Sequence, residues 1–327
     1  MALASPLLDL PCMDTDRDRV EAALIASVRT RDAYLTEIAS HLIVAGGKRL
    51  RPVMTLAVAQ VGNSLPVSDD VINGGIACEL VHLGSLYHDD VMDEGTTRRG
   101  VETVNAKWGN LQAILAGDFL LSRASEIAAS LGTEIAGLLA RTIGQLCEGQ
   151  IEELRHTYDI SRPVPSYLLS IEGKTASLYA TAARVGAIVA GHSRPEIDAL
   201  TSYGTSFGMV FQIVDDILDI ISTDDELGKQ AGHDMEEGVY TLPVLLTLAA
   251  GGAPAVELKE LLGKPLDEIE RDKALSIVRS NSGVQSAVES ARSYVAMAQA
   301  ACNKLPSSEA TDALMAAPAV LLESVIN

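Results

Sequence analysis

The sequence predicts an all-α protein built as one large helical bundle, and three observations carry that reading. Apolar residues recur at three- and four-residue spacing along nearly the whole chain. Aromatic residues make up only 4% while Ala, Leu, Ile and Val dominate, a mix suited to helix packed on helix. No stretch sustains period-two alternation with β-branched enrichment, and no GxGxxG follows a strand-like run, so a parallel sheet is not expected.

In chain order, helical patterning covers residues 18–44, 53–61, 69–94, 110–130 and 133–158, then 165–190, 195–222, 241–250 and 267–304. The breaks fall on residues that end helices or make turns: Gly46-Gly47, Asn63-Ser64, Gly132, Arg162-Pro163 and Gly191. The run from Val239 to Val256 carries no charge. Pro243 and Gly251-Gly252-Ala253-Pro254 interrupt it, which fits a buried core helix and not a membrane span. No low-complexity linker or charge block divides the 327 residues, so 1–327 reads as one domain.

Charge narrows the function. Lys plus Arg number 25 and Asp plus Glu 44, a net charge of −19, which argues against a nonspecific nucleic-acid binder. An anionic substrate would need a local cluster of cations or bound metal. Cys12, Cys78, Cys147 and Cys302 lie far apart with no CxxC pair, as expected for free thiols in a reducing compartment. Residues Met1 to Cys12 lack a basic start and a long apolar core, so no signal peptide is expected and the location reads as cytoplasmic.

Two segments echo each other. Asp89, Asp90 and Asp93 stand at i, i+1 and i+4 near the end of one apolar helical run, and Asp215, Asp216 and Asp219 repeat the spacing in another. On a helix, i and i+4 share a face, so like charges there repel, and Asp is a poor residue inside a helix. A single triplet could be a solvated helix end. Two on apolar helices point to hard divalent cations held by carboxylate, water and phosphate oxygens, as magnesium is.

Cations accompany them. The run Gly46-Gly47-Lys48-Arg49-Leu50-Arg51-Pro52 puts three into four residues at a helix start, where glycine permits close backbone approach and Arg offers a planar fork to phosphate. Arg98 and Arg99 follow the first acidic triplet, Lys174-Thr175 and Lys229 come later, and His82 lies seven residues before Asp89. Alone, an Arg-Arg pair is ordinary surface charge and a His is ordinarily structural.

Together these segments resemble the trans-type isoprenyl (polyprenyl) diphosphate synthases. The resemblance rests on GGKRLRP at 46–52, HLGSLYHDDVMDEGTTRRG at 82–100, GDFLLSRA at 117–124, GKTASL at 173–178, FQIVDDILDI at 211–220, GKQAGHD at 228–234 and TLP at 241–243. The motifs keep the family's order across about residues 40–250. The resemblance implies an isoprenoid-synthase bundle around a deep central cavity, usually homodimeric. It implies a prenyltransferase that joins isopentenyl diphosphate to an allylic diphosphate, 1′-4 and head to tail, with release of diphosphate.

By the same resemblance, Lys48, Arg51, His82 and Arg99 belong to the isopentenyl diphosphate site. Arg98, Lys174, Thr175, Gln212 and Lys229 surround the allylic diphosphate. Asp89, Asp93 and Asp215 are direct ligands of magnesium, about three ions with manganese as a substitute, while Asp90, Asp216 and Asp219 bind metal or order its water. One departure is visible: Val239 follows Gly238 where many members carry Lys, which removes one contact to the allylic diphosphate.

Product length follows from the residues one turn up the helix from Asp89. Ser85 and Gly84 are small, with Val81 and Leu80 deeper, and the triplet lacks the insertion of some short-chain members; a product of about C30–C50 is expected. The alternative is a floor at Val81, Leu80 and Cys78 that stops growth at geranylgeranyl diphosphate. Rival readings are a helical terpene cyclase, which has no use for GGKRLRP and His82, and a noncatalytic partner subunit, which would not need both triplets whole.

Overall fold

The computed structural model describes residues 5–62, 66–222 and 231–326. Lys229 lies outside them. A short 3₁₀ turn, Pro6–Asp9, leads into α1 (Met13–Ser27) and α2 (Ala33–Val44). The sequence predicts one helix over 18–44; the chain makes two. Asp32 explains the break, because its carboxylate accepts from the backbone N–H groups of Tyr34 and Leu35 and so starts a new helix. Then come α3 (Leu50–Ala59) and α4 (Asp69–Met92).

Beyond α4, β1 (Thr97–Arg98) pairs antiparallel with β2 (Val101–Glu102), the sole sheet among the described residues. Two-residue strands are too short to show alternation. The chain continues through α5 (Val104–Trp108), α6 (Asn110–Ser130) and α7 (Thr133–Leu154). The helix expected over 165–190 is α8 (Val164–Ile171), a π turn (Glu172–Ala176) and α9 (Ser177–Val189).

After α10 (Arg194–Ile221) come α11 (His233–Glu236), α12 (Leu242–Ala250) and α13 (Gly252–Leu261). The chain closes with α14 (Glu268–Arg279), α15 (Ser282–Cys302) and α16 (Glu309–Glu323). The pattern over 267–304 divides at Ser280-Asn281, and α13 and α16 were not expected. The uncharged run is α12 followed by α13, parted at Gly251, whose φ of 72° suits glycine. Among the described residues, no helix is long and apolar enough to cross a membrane.

Packing follows the apolar faces. α4 lies against α6 on one side and against α3 and α9 on the other, while α10 lies against α9 and α15. Gly204 and Gly208 let α10 close on α9: a Cβ at either would stand 2.7 Å from the Tyr179 carbonyl oxygen or 2.6 Å from Ala176 Cα. The core is aliphatic, punctuated by buried Tyr87, Tyr167, Tyr179, Tyr203 and Tyr240. This arrangement leaves the C-terminal halves of α4 and α10 as walls of one cleft, closed by α7 and the π turn.

Candidate active site

The cleft comprises two contiguous cavities of about 970 Å³ each, which share Arg98, Arg99, Lys174, Thr175, Gln212 and Asp215. Asp89 lines one, Asp90, Asp93 and Asp216 the other, and Asp215 both. Residues of both acidic triplets therefore line one cleft from separate helices.

At one end lies the glycine-rich loop. Arg49 anchors it, and is itself buried: its Nε donates to Glu21 at 2.6 Å, Nη2 to the Ile43 carbonyl at 2.8 Å and Nη1 to Glu79 at 3.3 Å. That anchoring leaves exposed Lys48 and, one turn on, Arg51 to line the cavity. Gly47 suits this position, with a φ of 151° and the Arg99 guanidinium packed so close that a Cβ would stand 2.9 Å from its Cζ. The Arg99 guanidinium donates to the carbonyls of Leu42, at 3.0 Å, and Gly46. Burial lowers the Arg99 pKa, Glu79 partly opposing and the nearby Arg49, Arg98 and Arg51 adding to the fall.

Arg51 Nη1 lies 3.3 Å from His82 Nε2, and its guanidinium sits 4.6 Å from the centre of the Tyr179 ring. Loss of solvent, then the charges of Arg51, Arg99, Arg98 and Arg49, hold the His82 pKa well below the usual histidine value. His82 thus stays neutral and accepts from Arg51. Lys48, Arg51, His82 and Arg99 all line this end of the cleft.

At the other end the six aspartates separate into kinds. Asp90 accepts from Arg98 Nε at 2.7 Å. Asp216 accepts from Gln212 Nε2 at 2.8 Å and from the Tyr167 hydroxyl, and Thr175 donates to Gln212 Oε1 at 2.7 Å. Both carboxylates are buried and held by protein donors, which sets them behind Asp89, Asp93 and Asp215. Asp219, which the resemblance gives as binding metal or ordering its water, is 3% exposed, lies a turn further along α10, and is not part of the cleft walls formed by the described residues.

Burial raises the Asp89 carboxyl pKa, with Glu153 and Asp90 adding and Lys174 and Arg98 opposing. Asp93 is pushed up to about 6, by loss of solvent first and then by Glu237, Asp89 and Glu153. Carboxylates in this state are short of positive charge. Their hard oxygens fit a divalent cation that keeps water and phosphate oxygens in its shell. Among the described residues, no three His, Cys, Asp or Glu side chains close into a complete protein cage.

Lys174 and Thr175 ride on the π turn, a local geometry that often marks functional sites. Lys174 Nζ donates to Glu153 Oε1 at 2.6 Å. Burial lowers the ammonium's pKa, but Glu153, Asp89 and Asp93 outweigh it and the net shift is upward. Val239, at the position where the resemblance suggests Lys, forms part of the wall.

The expected tail pocket needs correction. Ser85 lines the cavity with Leu86, Leu146, Cys147 and Phe211. Gly84 instead faces α6, where a Cβ would lie 3.1 Å from the Gly117 carbonyl oxygen, because it serves the close crossing of α4 and α6. Val81 and Leu80 are fully enclosed in the core. Tyr87 points away, as its helical position requires, and its hydroxyl donates to the Ile38 carbonyl at 2.9 Å. Sequence reasoning missed Glu79, Glu153, Tyr167 and Tyr179, which carry no spacing signal; only the fold brings them to the motif residues.

The family model for polyprenyl synthetase matches residues 32–279. The chain is 40% identical over 289 residues to a nonaprenyl diphosphate synthase of Mycobacterium tuberculosis, covering 88% of this chain and 86% of that one. It is 40% identical over 278 residues to heptaprenyl diphosphate synthase component 2 of Geobacillus stearothermophilus, covering 81% and 86%. A crystal structure of a polyprenyl synthase from Caulobacter crescentus, complexed with calcium and isoprenyl diphosphate, superposes with a TM-score of 0.90 at 32% identity, over 97% of this chain and 96% of that one. With this family match, and with residues of both acidic triplets and of the glycine-rich loop lining one cleft, the chain belongs to the polyprenyl synthetase family.

Proposed function

We propose that this chain lengthens an allylic diphosphate by adding isopentenyl diphosphate head to tail, and that it makes a medium-to-long polyprenyl diphosphate. The observation that carries the reading is the convergence of Asp89 and Asp215 on a cleft whose far end is built from Lys48, Arg51, His82 and Arg99. An end dominated by Lys48, Arg51 and Arg99 suits a diphosphate that stays attached; an end of crowded carboxylates suits a diphosphate that leaves with metal. The Caulobacter relative, with calcium and isoprenyl diphosphate, and the nonaprenyl synthase support it.

Asp89, Asp93 and Asp215 would hold magnesium, for which manganese can substitute, and when bound the metal supplies Lewis-acid neutralisation of the leaving diphosphate. Asp90 and Asp216 position their neighbours through Arg98, Gln212 and Tyr167. Arg98 and Lys174 stand where charge develops on the departing oxygens, and the Thr175–Gln212 pair turns oxygen dipoles toward the carbocation. Lys48, Arg51 and Arg99 orient the isopentenyl unit so that its double bond meets that carbon, with neutral His82 fixing Arg51. The departed diphosphate takes the proton. Leu86, Leu146, Cys147 and Phe211 receive the growing hydrocarbon.

We further propose a cytoplasmic homodimer, in keeping with four cysteines free of disulfides. The test is to incubate purified protein with magnesium, labelled isopentenyl diphosphate and primers of increasing length. Products longer than farnesyl diphosphate are expected, and a cyclised hydrocarbon or no condensation would refute the reading. Likeness to a component 2 favours a second reading, in which the chain works only beside another subunit. Turnover by the purified chain alone excludes it.

A further inference from the structure

The cationic end of the cleft contains one buried acid that the chemistry above does not use. Glu79, on α4, is 1% exposed and shares a cavity wall with Lys48, Arg49, Arg51, His82 and Arg99. One of its oxygens has only the long 3.3 Å contact from Arg49, and the other is buried without a hydrogen-bond partner. Arg49 has closer partners besides this buried ion pair, since Glu21 and the Ile43 carbonyl hold its guanidinium at 2.6 and 2.8 Å. Arg51 likewise has a buried Nε without a partner.

An unpartnered buried carboxylate oxygen is unfavourable for folding. Its charge also opposes any anion brought to the same wall. Glu79 therefore weakens what its neighbours bind. In repeated head-to-tail addition this has a use. The diphosphate that enters on the isopentenyl unit remains on the product, so before the next addition it must leave this end of the cleft for the carboxylate end. A fully positive cradle would hold it.

We propose that Glu79 tempers the isopentenyl end so that the product's diphosphate can move across the cleft between additions. Glu79 is then a positioning and affinity-setting residue, and the inference rests on the proposed assignment of this end to isopentenyl diphosphate.

Calorimetric titration of metal-free protein with inorganic diphosphate tests it, using wild type, Glu79→Gln, Glu79→Asp and Arg51→Gln. Glu79→Gln is expected to bind about tenfold tighter, and Glu79→Asp like wild type. In the full assay Glu79→Gln should lower both KM for isopentenyl diphosphate and kcat, and shift products toward shorter chains. A merely structural role would raise KM. Equal or weaker diphosphate binding by Glu79→Gln overturns the proposal; if that variant does not fold, the neutral, similarly sized Glu79→Met is held to the same standard. Absence of binding to wild type, or undiminished binding to Arg51→Gln, overturns the site assignment itself and this inference with it.

Discussion

His82 shows what one residue can and cannot disclose. A histidine seven positions before an acidic triplet carries no signal of its own; the family motif points to it, and the fold supplies the reason, an Arg51 that needs a neutral acceptor. Its depressed pKa has a thermodynamic consequence. The unfolded chain protonates this ring below about pH 6.5 while the folded protein resists, so the unfolded state binds more protons there. The contribution to stability is complete above that value and is lost as pH falls beneath it. His82→Gln should therefore flatten the acid side of a melting-temperature series compared with wild type. Tyr167 was invisible in the sequence because its partner, Asp216, is 49 residues away. Tyr167→Phe leaves a buried carboxylate oxygen short of a donor and should destabilise by about 1–3 kcal/mol in denaturant titration.

At the level of elements, periodicity located most helices and misjudged where they break. Asp32 and Ser280-Asn281 interrupt segments whose apolar spacing runs on in phase, so only cap geometry discloses the ends. The π turn was equally hidden, since one extra residue in a turn scarcely disturbs the pattern. Its support is a backbone contact: a Cβ at Gly149 would lie 2.5 Å from Lys174 N and 2.7 Å from the Ser170 carbonyl oxygen. Gly149→Ala should push the π turn off α7 and lower kcat about tenfold or more, with helical content by circular dichroism preserved. The α4–α6 crossing makes a contrast in product length. Ser85→Phe is expected to shorten the product, because that position faces the cavity. Gly84→Phe is expected to cost stability instead, because that position meets Gly117. Chromatography of dephosphorylated products beside thermal melts separates the two.

Across the whole molecule, a net charge of −19 coexists with a cleft that gathers Lys48, Arg51, Arg98, Arg99 and Lys174. The sequence made the all-α class, the order of the motifs and the pairing of the triplets legible, since each is a local pattern. The resemblance had already set Asp89, Asp93 and Asp215 apart; what local pattern hid is the set of donors behind the others, since Arg98 reaches Asp90 from β1 and Tyr167 reaches Asp216 from α8, beside Gln212 on α10 itself. The central claim is that α4 and α10 share one set of metal ions. Anomalous diffraction from crystals soaked with manganese and a nonhydrolysable allylic diphosphate analogue tests it most directly. Manganese between the two helices, touching Asp89 or Asp93 on one side and Asp215 on the other, is the expected result. Metal confined to one triplet, with the other turned from the diphosphate, would contradict it.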